Sequence, residues 1–200
     1  MTWHQAADAF RPSEQARARR GLPFIPLLIV GATAAVEWLS GRPPICTCGR
    51  LKLWTGVVNG PENSQMVADW YSLSHIVHGL LFYGFMWLVA RRWPMWQRLT
   101  LATLVEAGWE LIENSPVVIE RYRAATIALG YSGDSIVNSM SDIVFMMLGF
   151  LLASRLSPRI TIALGLALEG VSLVAIHDNL ALNVLMLVHP IGAVRAWQGG

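Results

Sequence analysis

Charged residues are scarce in this chain. Only 14% of its 200 residues are Asp, Glu, Lys or Arg, whereas 54% are hydrophobic and the mean hydropathy is +0.45. Soluble domains usually carry about a quarter charged residues, so this composition argues against a soluble domain and indicates a membrane protein. The net charge is only +2. The basic segment 1–21 is interpreted as a cytoplasmic arm that orients the chain, not as a nucleic-acid-binding surface.

Repeats, low-complexity tracts and cysteines are also missing or rare. With no repeat and no polar segment of domain size, we expect residues 22–198 to form a single transmembrane domain. The only two cysteines, Cys46 and Cys48, stand one residue apart. A Cys-x-Cys disulfide closes a very small ring, so a local bridge, pairing with another chain and metal ligation all remain open.

Five apolar stretches are long enough to cross a bilayer. Each is close to the ~20 residues that a transmembrane helix needs. They cover residues 22–40, 73–92, 96–119, 135–155 and 158–177. A sixth stretch, 179–190, is shorter and is interpreted as an interfacial or re-entrant helix, with a sixth span as the alternative. The predicted fold is therefore an all-α polytopic membrane bundle of five transmembrane helices plus a short C-terminal helix.

Acidic and histidine residues interrupt these apolar stretches. A cytoplasmic N-terminus puts most of the arginines and lysines inside, in agreement with the positive-inside rule. In that topology the acidic and histidine residues collect near the outer ends of the spans. They are Glu37, His75, His78, Glu106, Glu110, Glu113, Asp134, Asp142, Glu169, His177 and Asp178. Ionisable groups at membrane depth are costly and usually face a bundle interior or a cavity, so we expect a polar site there.

The spacing of these residues supports a shared site. Within three of the spans the polar residues recur every three or four positions, which places each set on one helix face. The sets are His75 and His78; Glu106, Glu110 and Glu113; and Asp134, Asn138 and Asp142. Three such faces pointing at one another form a polar core in an otherwise apolar bundle.

Two imidazoles among several carboxylates favour a divalent metal site, since His suits Zn or Fe and carboxylates suit harder ions such as Mn. The predicted metal ligands are His75, His78, Glu110 and Asp142. The predicted catalytic groups are Glu113 and Asp134, either of which could activate a metal-bound water. The leading hypothesis is a metal-dependent hydrolase of a lipid or lipid-linked substrate at the outer leaflet. The pattern is neither His-Glu-x-x-His nor the paired Glu-x-x-His of di-iron bundles.

Two other interpretations remain open. The carboxylates could carry protons or cations as a pathway or accessory subunit, or the polar groups could form a structural network that ties the helices together. Glu106 favours the pathway because it lies ~10 Å deeper than Glu113. Below Glu106 the spans become apolar, which favours a site that opens to one side only.

Six motifs in the chain are distinctive. They are RPPICTCG (42–49), DWYSLSHIVHG (69–79), WELIEN (109–114), ERYRAAT (120–126), GDSIVNSMSD (133–142) and DNLALNVLML (178–187). Through them the chain resembles an uncharacterised bacterial inner-membrane family, the domain-of-unknown-function 2585 group, over most of residues 22–198. The resemblance implies a multi-pass protein of the bacterial inner (plasma) membrane, with membrane lipids around it. It implies no activity and no catalytic residue.

Overall fold

The structure, a computed structural model, describes residues 24–126 and 130–199. The described residues form eight helices and no strand, which confirms the predicted all-α class. The helices are α1 (Phe24–Leu39), α2 (Ser72–Ala90), α3 (Met95–Glu113), α4 (Pro116–Ala125), α5 (Ile136–Arg155), α6 (Pro158–Ile176), α7 (Leu180–Val188) and α8 (Gly192–Gln198). The predicted basic arm, 1–21, lies outside the described residues.

Three helices within the described ranges, α2, α5 and α6, are long and apolar enough to cross a membrane. Helix α1 is apolar but has only 16 residues. Helix α3 has 19 residues, but Arg98 and three glutamates lower its hydropathy. The chain therefore has membrane-like helices, and the count of five spans stays a prediction.

The predicted third span, 96–119, differs from the structure. It consists of two helices, because α3 ends at Glu113 and α4 begins at Pro116. Proline has no backbone N–H and restricts the preceding residue to extended backbone. Ser115 has that conformation, and its side chain accepts a hydrogen bond from the Val118 N–H as an N-cap. The helix that covers most of this stretch therefore ends at Glu113 rather than at 119, and the membrane boundaries of the span stay a prediction.

Helix α2 lies in the middle of the bundle, against α3, α5 and α6. Its closest approach is to α5, where two glycines face the partner backbone. A Cβ added at Gly79 would lie 2.0 Å from the Met146 carbonyl oxygen, and one at Gly149 would lie 2.1 Å from that of Ile76. Small residues allow such close packing between membrane helices, where apolar burial alone gives little driving force. These two glycines therefore set the spacing between α2 and α5.

The two ends of the bundle differ in chemistry. One end, on the N-terminal side of Glu106 along α3, is filled by an apolar core. In this core Tyr83 packs edge-on against Phe150. The opposite end is polar and is covered by the loop 40–71. This loop is tied to the start of α5, since the Ser135 N–H donates to the Ser64 carbonyl and the Asn138 side-chain amide donates to the Met66 carbonyl.

Cys46 and Cys48 lie in the same loop and are joined by a disulfide. The structure therefore has the local bridge, rather than pairing with another chain or metal ligation.

Candidate functional site

A buried carboxylate on α3 holds both histidines of α2. Oε1 of Glu106 lies 2.6 Å from Nδ1 of His75 and 3.0 Å from Nδ1 of His78. Glu106 is fully buried, His75 is buried and His78 is partly buried. In the tautomer with the proton on Nδ1, each ring donates to the carboxylate of Glu106 and keeps the lone pair of Nε2. We call His75 and His78 the histidine pair.

Asp142 of α5 approaches the His75 ring from the other side. Its Oδ2 lies 3.7 Å from Nε2 of His75, and its Oδ1 accepts a hydrogen bond of 3.0 Å from Ser72. Ligand atoms of a tetrahedral zinc at 2.0–2.1 Å lie ~3.4 Å apart. The separation between Nε2 and Oδ2 is therefore close to that of two ligands of one ion.

A second group of carboxylates lies next to the histidine pair. Glu110, Glu113 and Asp134 each place one oxygen within 4.8 Å of the others, and we call these three residues the carboxylate cluster. Glu110 links the two groups, because its Oε1 lies 3.6 Å from Nδ1 of His75.

Asn114 organises this end of the bundle. Its side-chain amide lies 3.2 Å from Oδ2 of Asp134, 3.1 Å from the Ser139 hydroxyl and 3.4 Å from Glu37. The side-chain oxygen Oδ1 of Asn114 accepts a 2.7 Å hydrogen bond from the Asp134 N–H. One residue at the end of α3 thus connects α1, α5 and the loop before α5.

Asp134 lies in that loop and is buried. Burial raises its pKa to about 7, and the nearby Asp69 carboxylate adds to the rise. The hydrogen bond from the Tyr131 hydroxyl, 2.9 Å long, and the charge of Arg42 act against it. A carboxyl with a pKa near neutrality can hold or release a proton at physiological pH, as a general base must.

Asp69 stabilises the loop 40–71 through hydrogen bonds to its backbone. Its carboxylate accepts from the backbone N–H groups of Ser64 and Tyr71, and the Ser72 hydroxyl is the acceptor for its own N–H. Burial raises the pKa of Asp69, and those backbone donors oppose the rise. Asp69 therefore holds the loop in place above Asp142.

The polar groups face a cavity of about 250 Å³. Its polar lining residues include both histidines, Glu106, Glu113, Asp134 and Asp142. Its apolar lining residues are Phe82, Val105, Trp109, Leu180 and Val184. Val105 and Val184 are each 49% exposed, so the apolar lining reaches the outer surface of the bundle. Ligand sites commonly combine an apolar wall with a few converging polar groups.

The predicted site residues fall into these two neighbouring groups. His75 and His78 meet at Glu106 and Asp142 lies beside His75, whereas Glu110 associates with Glu113 and Asp134. His177 lies apart, stacked on Trp197, and Asp178 is held by Gln198 and Tyr71. The carboxylate of Glu169 accepts from backbone N–H groups at the start of α7, an ordinary helix cap.

Glu106 is the residue that sequence reasoning left out of the ligand set. The signal in the sequence was the depth of Glu106 along its helix. His78 stands six residues after the start of α2, and Glu106 stands seven before the end of α3. Both are therefore ~10 Å from the same end of the bundle. Asn114 carried no comparable signal, because its contacts depend on how three separate segments come together.

Comparison with known proteins gives a family but no chemistry. Residues 38–200 match the family model described as "Protein of unknown function (DUF2585)". A UPF0314 protein of Novosphingobium aromaticivorans is 57% identical over 166 residues, covering 80% of this chain and 83% of the relative.

Further relatives have the same printed name. A UPF0314 protein of Rhizobium etli is 54% identical over 172 residues, 86% of this chain and 88% of the relative. One from Paracoccus denitrificans is 52% identical over 182 residues, 90% of this chain and 94% of the relative. No solved structure matches.

Proposed function

The chain belongs to the DUF2585 family of proteins of unknown function, and from the chemistry of its own site we propose that it is a metal-dependent hydrolase of the bacterial inner membrane. Its substrate is a lipid or a lipid-linked molecule. The observation that carries the proposal is the convergence of His75, His78 and Asp142 on a cavity lined by both polar and apolar side chains.

The membrane part of the proposal rests on composition and length. Helices α2, α5 and α6 are able to span, and we assign α1 and α3 as two further spans. Helix α3 is then a span whose glutamates face the bundle interior rather than lipid. The positive-inside bias gives a cytoplasmic N-terminus, which puts the cavity at the outer leaflet. The named relatives are bacterial, in agreement with the inner membrane.

The metal part rests on the donor atoms. We assign Nε2 of His75 and of His78 and a carboxylate oxygen of Asp142 as ligands. Glu110, whose Oε1 lies 3.6 Å from Nδ1 of His75, completes the set once its side chain turns toward Nε2. Glu106 is not a ligand in this assignment, because 2.6 Å between Nδ1 and Oε1 is a hydrogen-bond distance. It orients both rings, as carboxylates commonly do for histidines that bind zinc.

The chemistry follows from the groups that face the cavity. A divalent ion held there would supply a water whose pKa is lowered toward neutrality. Asp134, whose own pKa is about 7, or Glu113 would take up a proton from that water as general base. The apolar lining residues Phe82, Val105 and Val184 suit an acyl or isoprenoid chain that enters from the bilayer.

Lipid analysis of cells tests this function while the substrate is still unidentified. A strain lacking the gene is complemented with the wild type, Asp142→Asn or the exposed control His189→Ala, and its lipids are compared by mass spectrometry. We expect one lipid species to accumulate in the empty and Asp142→Asn strains and to disappear in the other two. Identical lipid profiles in all strains would contradict the hydrolase.

The series of ionisable groups along α3 favours a second function, a proton or cation pathway. Glu106, Glu110 and Glu113 follow one another along α3, and Glu106 is in contact with both histidines. A pathway must continue to the other side, however, and beyond Glu106 lie Leu99, Met146 and Phe150 of the apolar core. A purified protein that carries protons across vesicles in response to a membrane potential would support this alternative over the hydrolase.

A further inference from the structure

The carboxylate cluster holds three acidic side chains, and the neighbouring basic groups do not balance their charge. One carboxylate oxygen from each of Glu110, Glu113 and Asp134 lies within 4.8 Å of the corresponding oxygens of the other two residues. Arg42 is close to this loop, but its guanidinium donates to the backbone carbonyl oxygens of Ser132 and Asp134. Ionised carboxylates this close repel each other in a low-dielectric interior. Either protons or a cation must offset that repulsion.

Glu110 gives an independent sign of a missing partner. The residue is 1% exposed, and its Oε1 has no hydrogen-bond partner among residues 24–126 and 130–199. Nδ1 of His75, at 3.6 Å, is too far for a hydrogen bond and is already engaged by Glu106. Leaving a buried acceptor unsatisfied costs ~1–3 kcal/mol, and more for a charged group.

We propose that the carboxylate cluster binds a second divalent cation of the hard class, such as Mn²⁺, Mg²⁺ or Ca²⁺. The ligands are Glu110, Glu113 and Asp134, and Glu110 is shared with the ion at the histidine pair. The inference deepens the proposed function, on which it rests: it makes the centre binuclear, and Glu113 and Asp134 would then serve as ligands of the second ion rather than as proton acceptors.

Geometry and donor chemistry agree on the class of ion. Oxygen ligands of Mg²⁺ or Ca²⁺ lie ~2.0–2.6 Å from the ion, so two of them are at most ~5 Å apart. The three oxygens lie within 4.8 Å of one another, which fits Ca²⁺ directly, whereas the smaller Mg²⁺ or Mn²⁺ draws them a few tenths of an ångström closer. Three carboxylates without nitrogen or sulfur select hard ions, whereas the imidazoles favour zinc or iron. The adjacent cavity, bordered by Glu113 and Asp134, leaves room for water to complete the coordination.

Metal stoichiometry tests the second site. The full-length protein is purified in detergent, stripped with a chelator and dialysed against one equivalent of Zn²⁺ with excess Mn²⁺. Bound metals are then measured by elemental mass spectrometry. We expect one zinc and one manganese per chain. The Glu113→Gln/Asp134→Asn double variant should lose manganese and keep zinc, and Glu120→Gln, an exposed carboxylate on α4, should keep both.

The outcomes separate the two proposals. Zinc without manganese in the wild type, or equal manganese in the double variant, overturns the second site and leaves the first intact. Manganese that is lost only in the double variant, with no zinc in any sample, supports the carboxylate site and removes the histidine site. Retained zinc shows that the double variant has folded. If the double variant does not accumulate, Asp134→Asn alone must reduce manganese occupancy, and an unchanged occupancy overturns the proposal.

Discussion

Nδ1 of His75 lies 2.6 Å from Oε1 of Glu106 on the neighbouring helix, and both side chains are buried. The contact fixes the orientation of the imidazole and turns its Nε2 toward Asp142. Because the same oxygen also holds His78, one carboxylate positions both rings of the proposed metal site.

Glu106→Gln tests this positioning role. The amide is neutral, so its oxygen accepts more weakly from the two imidazoles, and it lacks the second carboxylate oxygen, which lies 3.1 Å from Nδ1 of His78. Removing the carboxylate that orients a metal-binding histidine typically costs 10–100-fold in affinity, and we expect a loss of about that size for Zn²⁺. Titration against a chromophoric chelator gives the value. Wild-type affinity in Glu106→Gln would mean that Glu106 has no part in metal binding.

The contact between α2 and α5 gives a prediction about stability. Gly79→Ala puts a methyl group where the Met146 carbonyl stands, and the helices must separate. Overpacking of this kind costs ~1–3 kcal/mol. Gly84→Ala is the matched control, because it lies on the same helix and its Cβ would meet nothing within 4 Å. Thermal unfolding in detergent should show a lower midpoint for Gly79→Ala only, and equal midpoints would contradict the close packing.

Asp178 gives a pH-dependent prediction. Burial raises its pKa from 3.8 to about 6, so the folded state binds this proton more tightly than the unfolded state. Its contribution to the free energy of unfolding therefore falls as the pH rises from about 4 to about 6, and is constant above that range. Asp178→Asn keeps one acceptor oxygen and does not titrate. Its stability should fall less over this interval than that of the wild type, by at most about 3 kcal/mol. Parallel stability curves would contradict this account.

The proposed topology is open to chemical labelling. In a Cys46→Ser/Cys48→Ser background, Glu120→Cys introduces a thiol on α4 and Arg92→Cys one in the turn before α3. Both positions are exposed. With a cytoplasmic N-terminus, an impermeant maleimide should label the thiol at position 120 in intact spheroplasts and the thiol at position 92 only after lysis. The reverse pattern would invert the topology and move the cavity to the cytoplasmic leaflet.

The periodic spacing of polar residues was the informative part of the sequence. An apolar bundle tolerates His75, Glu110 and Asp142 only on inward faces, and all three are buried. The all-helical class followed from the same apolar stretches. The number of spans does not follow as directly, because α3 combines a spanning length with four charged residues, and hydropathy cannot tell a buried glutamate from an exposed one.

Other features depended on contacts that sequence spacing does not encode. The break at Ser115 has a local cause in Pro116 and was open to prediction. The arrangement around Asn114 was not, since it requires α1, α3 and the loop before α5 to meet at one side-chain amide. The similar depth of Glu106 and His78 could be counted along the two helices, whereas the contact of one carboxylate with both rings required the assembled bundle.

The metal content of the purified protein is the sharpest test of a metal centre at the histidine pair. The wild type, His75→Ala and His189→Ala are loaded with Zn²⁺, freed of excess metal by gel filtration and measured by elemental mass spectrometry. His189 is exposed and lies outside the cavity. The account predicts bound zinc in stoichiometric amount in the wild type and His189→Ala, and its loss in His75→Ala. Wild-type protein that stays free of metal, or His75→Ala protein that retains it, would contradict a metal centre at the histidine pair.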